Sequence, residues 1–314
     1  MTTRRSLAEA ALRRVFHVPP SGELPAGWSI ELPGRGTTFV SEIPGPEGAP
    51  TIFLLHGLAC TAYLNWYPAL PALAGKYRVV MMDVRGHGRG IPIGRRLRLR
   101  DCAEDAVAVA DALGIEKFIP VGYSMGGPVA QLIWERHPER VDGMVLCATA
   151  RNFRGSPQER LFFMILPTIV LALGMRRRGS RIDPAEIIGK QLADLPADMS
   201  VSDIGVPSWA FDEFRRTSPW TMLHGVNAIG QFSSHRFIGK VDVPTAVVVT
   251  SRDSFIPPRR QRRLAEAITG ATVHEFNGNH AACVLEADKF VPALEEAIES
   301  VVSRLPVPET LLPS

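Results

Sequence analysis

Three residues that could cooperate in carbonyl chemistry occur in the order serine, aspartate, histidine: Ser124 in "GYSMGG", Asp253 in "VVVTSRDSFIPP" and His280 in "FNGNHAACVLE". A serine hydroxyl is inert near neutral pH until a base takes its proton, and an imidazole base needs a carboxylate to fix its tautomer. Such a set attacks carbonyl carbon. Ser124 sits in G-x-S-x-G, with the apolar run "KFIPV" before it and a helical pattern after it. A strand turning sharply into a helix forces its apex residue into a strained backbone and lifts the side chain clear of the sheet. Small residues on either side relieve the crowding, and Gly122, Gly126 and Gly127 supply them. The helix N-terminus then offers N–H groups to developing negative charge.

Eight histidines are available as a base. His280 follows the last expected strand, at the sheet edge where Ser124 emerges. His87, in "DVRGHGRG", lies on a loop at that edge and is read as loop-structuring. His274 alternates within an expected strand, and His17, His137, His224 and His235 have no matching placement. Asp253 follows a buried apolar run directly, whereas no acid ends the preceding strand "LCATA". Asp203, Asp212 and Glu213 are read as solvated charges. An oxyanion needs two N–H donors. One is expected from Met125 and the other from Leu58, with Ala59 in reserve, because Gly57 lets that loop approach closely. His56 is expected to hold the loop by hydrogen bonds.

These residues need a scaffold. "WSIELPG" and "TTFVSEIPG" read as two strands around a Gly-rich turn, "TIFLLHG" and "YRVVMMDV" as buried strands, and "YPALPALAG" as a short helix between them. "DCAEDAVAVADALG" has a helical apolar face, with Asp101 as its expected cap and Gly114 as its stop. "KFIPVG", "MGGPVAQLIWERHPE" and "VDGMVLCATA" repeat the strand–helix–strand rhythm, which implies a parallel sheet covered on both faces. The rhythm stops at Ala150 and returns at "VPTAVVVTSRD". "PPRRQRRLAEAITG" then reads as a helix, "ATVHEF" as a strand, and a final helix runs from about Val284 to Val302. The expected organisation is an N-terminal helical extension over 1–26, a core over 27–150 and 241–303, an inserted cap over 151–240, and a tail over 304–314.

Composition narrows the classes. The chain has 314 residues, 46% hydrophobic and 21% charged, with a net charge of +3, which argues for a substantial core and against disorder. Arginines are scattered without basic and aromatic stripes, so no nucleic-acid partner is expected. Cys60, Cys102, Cys147 and Cys283 are far apart and lack C-x-x-C spacing; they read as reduced thiols of a cytoplasmic protein, with neither a disulfide framework nor a metal site. The run Leu161 to Met175 holds 15 residues and Pro167, too short for a span. It reads as a cap helix packed on the body, with a greasy acyl-binding wall or an interfacial lid as alternatives. Arg176 to Arg178 would then sit at headgroup level, and weak membrane-surface contact through the cap or the N-terminal segment belongs to this expectation.

With these motifs in order, the chain resembles the α/β-hydrolase fold family, and its serine-nucleophile esterase and lipase-like branch in particular. "HGLA", "DVRGHG", "GYSMGG", "DSFIP" and "GNH" carry the resemblance, which extends from about Trp28 to Val302. It implies an eight-stranded, mostly parallel sheet with flanking helices, a mainly helical cap after strand six, and no cofactor. Similar epoxide hydrolases and haloalkane dehalogenases use an aspartate where Ser124 stands, and none of the four tyrosines lies in 151–240, so those activities are disfavoured. The resemblance implies cleavage of a hydrophobic small-molecule ester through an acyl-enzyme. A C–C bond hydrolase acting on diketones, with Arg151, Arg154 or the Arg176 to Arg178 cluster binding a substrate carboxylate, stays open. So do a cofactor-free perhydrolase and a ligand receptor with little turnover. Oligomeric state is not legible.

Overall fold

The computed structural model describes residues 24–155, 157–179 and 213–306. Eight strands form one sheet: β1 (Gly27–Leu32), β2 (Gly36–Ile43), β3 (Thr51–Leu55), β4 (Arg78–Met82), β5 (Ile119–Tyr123), β6 (Met144–Cys147), β7 (Thr245–Thr250) and β8 (Thr272–Phe276), in the spatial order β1-β2-β4-β3-β5-β6-β7-β8. The β1–β2 and β2–β4 pairs are antiparallel and every other pair is parallel. The C-terminal ends of β3, β5, β6, β7 and β8 therefore open on one edge.

The apolar runs form strands because both faces of the sheet are covered. Phe53 and Leu55 point into one core with Val80, Val129 and Ile133. Ile52 and Leu54, one residue out of phase, point into the other with Trp66, Phe290 and Leu294. The first face is covered by α3 (Leu99–Ala112) and α4 (Gly126–Arg136). The second is covered by α1 (Ala62–Trp66), α2 (Leu70–Leu73) and the C-terminal helix. β5 is buried along its whole length, at the centre of the sheet. The sheet and its flanking helices are those of an α/β-hydrolase fold.

Several local expectations need correction. Asp101 does not cap α3: the helix begins at Leu99 after Arg98, and Asp101 lies in its first turn, where a carboxylate still complements the helix dipole. "YPALPALAG" supplies its expected short helix as α2, but an additional helix, α1, precedes it, started by the Thr61 hydroxyl, which accepts from the Leu64 N–H (3.2 Å). The C-terminal helix divides at Glu286 (φ −134°, ψ 44°), and its parts follow the last of the strands.

Between β6 and β7 the described residues form two long helices, α5 (Pro157–Gly179) and α6 (Pro219–Gln231). Pro167 sits inside α5 without ending it, since a proline removes one backbone donor and need only kink a helix. Leu166 and Val170 are buried, whereas Leu161, Phe162, Met164 and Ile165 are exposed. After α6 come α7 (Pro258–Ala265), α8 (Ala282–Leu285) and α9 (Ala287–Val302). The expected N-terminal helix, Asp203 and Asp212 lie outside the described residues, as does most of the tail. No helix among the described residues is long and apolar enough to cross a membrane. The four cysteines are free; Cys102, Cys147 and Cys283 are buried and Cys60 is partly exposed.

Candidate active site

Ser124 is the turn between β5 and α4, and its φ is +51°, in the left-handed region that a non-glycine residue adopts only under constraint. The constraint is visible on both sides. A Cβ at Gly122 would come 2.3 Å from the Gly126 carbonyl oxygen, and one at Gly126 would come 2.1 Å from the Leu55 carbonyl oxygen. Hydrogen bonds then pin the turn to β6 and the residues just after it: the Ser124 N–H donates to the Cys147 carbonyl (2.9 Å) and the Thr149 hydroxyl donates to the Ser124 carbonyl (2.9 Å).

The structure brings Ser124, His280 and Asp253 together. Ser124 Oγ lies 2.8 Å from His280 Nε2, and His280 Nδ1 lies 2.7 Å from Asp253 Oδ2. With its proton on Nδ1, the imidazole donates to the carboxylate and offers Nε2 to the hydroxyl. Asp253 is buried and fully engaged. Its Oδ1 accepts the N–H groups of Phe255 (2.9 Å) and Ile256 (2.8 Å), an Asx-type turn. Its Oδ2 also accepts from Thr250 Oγ1 (2.9 Å) and Gln261 Nε2 (3.2 Å). The Tyr123 hydroxyl donates to the His280 carbonyl (2.8 Å), and the exposed Phe255 ring lies 5.4 Å from the imidazole, centroid to centroid. Thr250, Gln261 and Tyr123 escaped the sequence reading; the one legible signal was the Asx turn of "DSFIP".

Facing Ser124 is the loop after β3. A Cβ at Gly57 would sit 3.4 Å from Ser124 Cβ, so the two segments nearly touch. Gly57 donates its N–H to Asn65 Oδ1 (3.0 Å) and accepts from His56 Nδ1 at its carbonyl (2.8 Å). His56 Nε2 in turn accepts the Val84 N–H (2.8 Å), so His56 ties the loop to the end of β4. Burial lowers the His56 pKa to about 4, against the upward pull of the Gly57 bond, which keeps the ring neutral as this arrangement requires. His87 packs on it, ring centroids 5.3 Å apart, and burial lowers His87 to about 3. Cys60 N–H closes a turn onto the Gly57 carbonyl (3.3 Å), with Ala59 at φ +63°. Among the described residues, no protein acceptor takes the N–H of Leu58, Ala59 or Met125. These are donors of the kind a developing oxyanion requires.

Glu213 is not a solvated charge. It is 5% exposed, and both of its oxygens are taken by the Arg89 guanidinium (3.1 and 2.7 Å). Thr61 Oγ1 donates to it at 2.6 Å and Arg216 Nε at 2.9 Å. Arg89 also reaches Asp83 Oδ2 (3.2 Å) and lies 3.9 Å over the Phe39 ring. His224, in α6, is buried with neither ring nitrogen hydrogen-bonded, and burial lowers its pKa. It faces a cavity of about 1740 Å³ that Arg95, Arg96, Trp220 and Phe232 also line, and that Ser124, Asp253 and His280 do not reach. Among the described residues no group of histidines, cysteines and carboxylates has the arrangement of a metal site.

Residues 50–177 match the family model of the α/β-hydrolase fold. The chain is 38% identical over 116 residues to epoxide hydrolase B of Mycobacterium tuberculosis, a match covering 35% of this chain and 32% of that relative. It is 25% identical over 254 residues to the pyrrolizixenacetamide deacetylase of Xenorhabdus hominickii, covering 80% of this chain and 91% of the relative. The enol-lactonase of Burkholderia xenovorans superposes with a TM-score of 0.63 at 23% identity, over 88% of this chain and 100% of the other. Sheet order, strand–turn–helix geometry at Ser124 and these matches agree on one architecture: the chain has the α/β-hydrolase fold.

Proposed function

We propose that the chain is a hydrolase that cleaves carboxylic esters with hydrophobic acyl groups, through an acyl-enzyme on Ser124. The observation that carries this reading is the unbroken relay from Ser124 Oγ to His280 Nε2 and from His280 Nδ1 to Asp253 Oδ2, at 2.8 and 2.7 Å. Ser124 Oγ attacks the ester carbonyl while His280 Nε2 takes its proton. Asp253 holds the tautomer and stabilises the imidazolium. The tetrahedral oxyanion is met by the N–H groups of Leu58 and Met125. His280 then protonates the leaving alcohol, and a water activated by His280 attacks the acyl-enzyme and frees the acid and the serine.

One relative bears on the bond class: the protein named a deacetylase removes an acetyl group, which is a reaction at an acyl carbonyl. Epoxide opening fits less well, because the residue at the turn is a serine rather than a carboxylate and no tyrosine lies in 151–240. The hydrophobic preference rests on apolar groups near the relay and on α5: Phe255 against His280, Leu58 on the facing loop, and Leu161, Phe162, Met164 and Ile165 exposed on the helix. The same exposed residues support weak contact with a lipid surface. Free cysteines support a cytoplasmic location.

The test is a kcat/KM series over p-nitrophenyl esters from acetate to decanoate, with one vinylogous diketone included and Ser124→Ala as control. Medium chains should exceed acetate, and Ser124→Ala should abolish turnover. Preference for the diketone would make the chain a C–C bond hydrolase. Binding without turnover would make it a receptor.

A further inference from the structure

The loop that offers the Leu58 N–H is held from two directions. On the core side, His56 and Asn65 fix Gly57, and Asp83 Oδ1 accepts the Ala62 N–H at 2.8 Å. On the other side, both supports come from the segment between β6 and β7. Glu213 accepts the Thr61 hydroxyl, whose own oxygen accepts the Leu64 N–H and so starts α1. Gly225 of α6 leaves a notch for Leu58: a Cβ there would come 2.3 Å from Leu58 Cδ1. Three residues after Ser218, the N-cap of α6, Thr221 abuts Gly86, and the Thr217 hydroxyl accepts the Gly88 N–H (3.4 Å).

The local Arg216 contact, three residues on, does not bury Glu213, since Arg216 is itself half exposed. The bidentate partner of Glu213 is 124 residues away, and Arg89 itself is oriented by Asp83 and the Phe39 face. Removing one member of a buried ion pair strands the other, so the three-way contact is stable only when loop, strand end and inserted segment are in register. Its geometry is directional, since the bidentate Arg89–Glu213 fork fixes the plane of the carboxylate and the Thr61 hydroxyl must lie in reach of it.

We propose that Glu213 is a positioning residue: through Thr61 it sets the loop 57–61 in the conformation that presents the Leu58 N–H to the oxyanion, so that the seating of residues 213–231 controls the chemical step. Gly225 acts with it by admitting the Leu58 side chain. The inference rests on the ester-cleaving reading for its kinetic consequence, while its structural half stands apart from that reading. A shifted donor weakens an interaction made in the transition state and not in the ground state, so kcat falls and KM does not. An intact Arg89–Asp83 pair keeps the core side of the loop in place in a Glu213 variant.

The experiment uses the full chain with Glu213→Gln, Thr61→Val, their double variant, and Thr61→Ser as the conservative rescue. Kinetics with a medium-chain p-nitrophenyl ester are read together with amide hydrogen exchange over residues 57–66. We expect Glu213→Gln and Thr61→Val each to lower kcat about 10- to 100-fold with KM within about threefold. The double variant should be no worse than either alone, because the two residues act as one contact. Thr61→Ser should stay near the parent. Exchange at Leu58 to Leu64 should quicken in the two impaired single variants. An unchanged kcat per folded molecule, additive losses in the double variant, or unchanged exchange would each overturn the inference. If the parent turns over no ester, the exchange measurement still decides the structural half, so failure of the inference and failure of the ester reading give different results.

Discussion

Asp253→Asn is the most demanding test of the relay, because the surroundings dictate how the new side chain must lie. Two backbone N–H groups point at the Oδ1 position, from Phe255 and Ile256, so the amide oxygen has to occupy it. The NH2 group then falls where Oδ2 was, facing Thr250 Oγ1, Gln261 Nε2 and His280 Nδ1. Gln261 cannot turn over to relieve the clash, since its Oε1 accepts the Thr250 N–H (3.0 Å) and its Nε2 also serves the Ile256 carbonyl (2.7 Å). His280 can adapt only by moving its proton to Nε2 and accepting at Nδ1. That tautomer cannot take the Ser124 proton. The expected fall in kcat is about 10³- to 10⁴-fold, or about 4–5.5 kcal/mol of transition-state stabilisation, with KM little changed. Gln261 keeps Thr250 Oγ1 (2.8 Å) and the Ile256 carbonyl as acceptors, but the Thr250 hydroxyl loses the oxygen it donates to, and that stranded donor should lower stability by about 1–3 kcal/mol. Burst-phase kinetics with a p-nitrophenyl ester separate acylation from release, and urea unfolding measures the second effect. A kcat within tenfold of the parent at unchanged KM would refute the reasoning that tautomer control passes through Asp253.

Other consequences are measured by stability. Gly126→Ala puts a methyl group 2.1 Å from the Leu55 carbonyl in the middle of the sheet, so soluble yield should collapse or unfolding free energy drop by more than about 3 kcal/mol; a variant of normal stability would show that α4 can slide. Asp105 is fully buried and receives Arg35 (2.6 Å) and Arg85 (2.7 Å); Asp105→Ala should cost about 3–5 kcal/mol by denaturant titration, and a cost below 1 would mean the arginines find other partners. Between pH 6.5 and about 4 the unfolded chain protonates His56 while the native chain does not, so stability is fully present above pH 6.5 and declines below it. Lowering His56 to about 4 corresponds to about 3 kcal/mol lost by pH 4. His87, lowered to about 3, adds to the slope, and His87→Leu should flatten it; an unaltered slope would show that the buried rings are not its source.

What sequence could and could not reveal follows from the range of the forces involved. Ser124 was legible because its demands are local: an apolar strand, two glycines at close approach and a helix within ten residues. Asp253 and His280 followed because continuous apolar strands imply one C-terminal edge. Helix α1 was not legible, since five residues carry no period and its start is set by Thr61. Glu213 was misread because its burial depends on Arg89 and Thr61, both more than a hundred residues away in the chain. Gln261 lies in an arginine-rich helix whose composition says surface, yet its amide is buried under Asp253. His224 gave no sign of its burial, because a lone histidine on a helix has no pattern.

The topology also dictates when the site can come into being. β6 ends at Cys147 and its neighbour β7 begins at Thr245, so joining them closes a long loop, with an entropic penalty on the order of 4 kcal/mol from chain length alone. Six strands and the Ser124 turn can assemble before that closure; Asp253 and His280 arrive only after it. On a ribosome the turn emerges while the acid and base are still being made. During refolding from urea, far-ultraviolet dichroism should therefore recover ahead of reactivity towards a fluorophosphonate, and the interval between the two signals times the docking of β7 and β8.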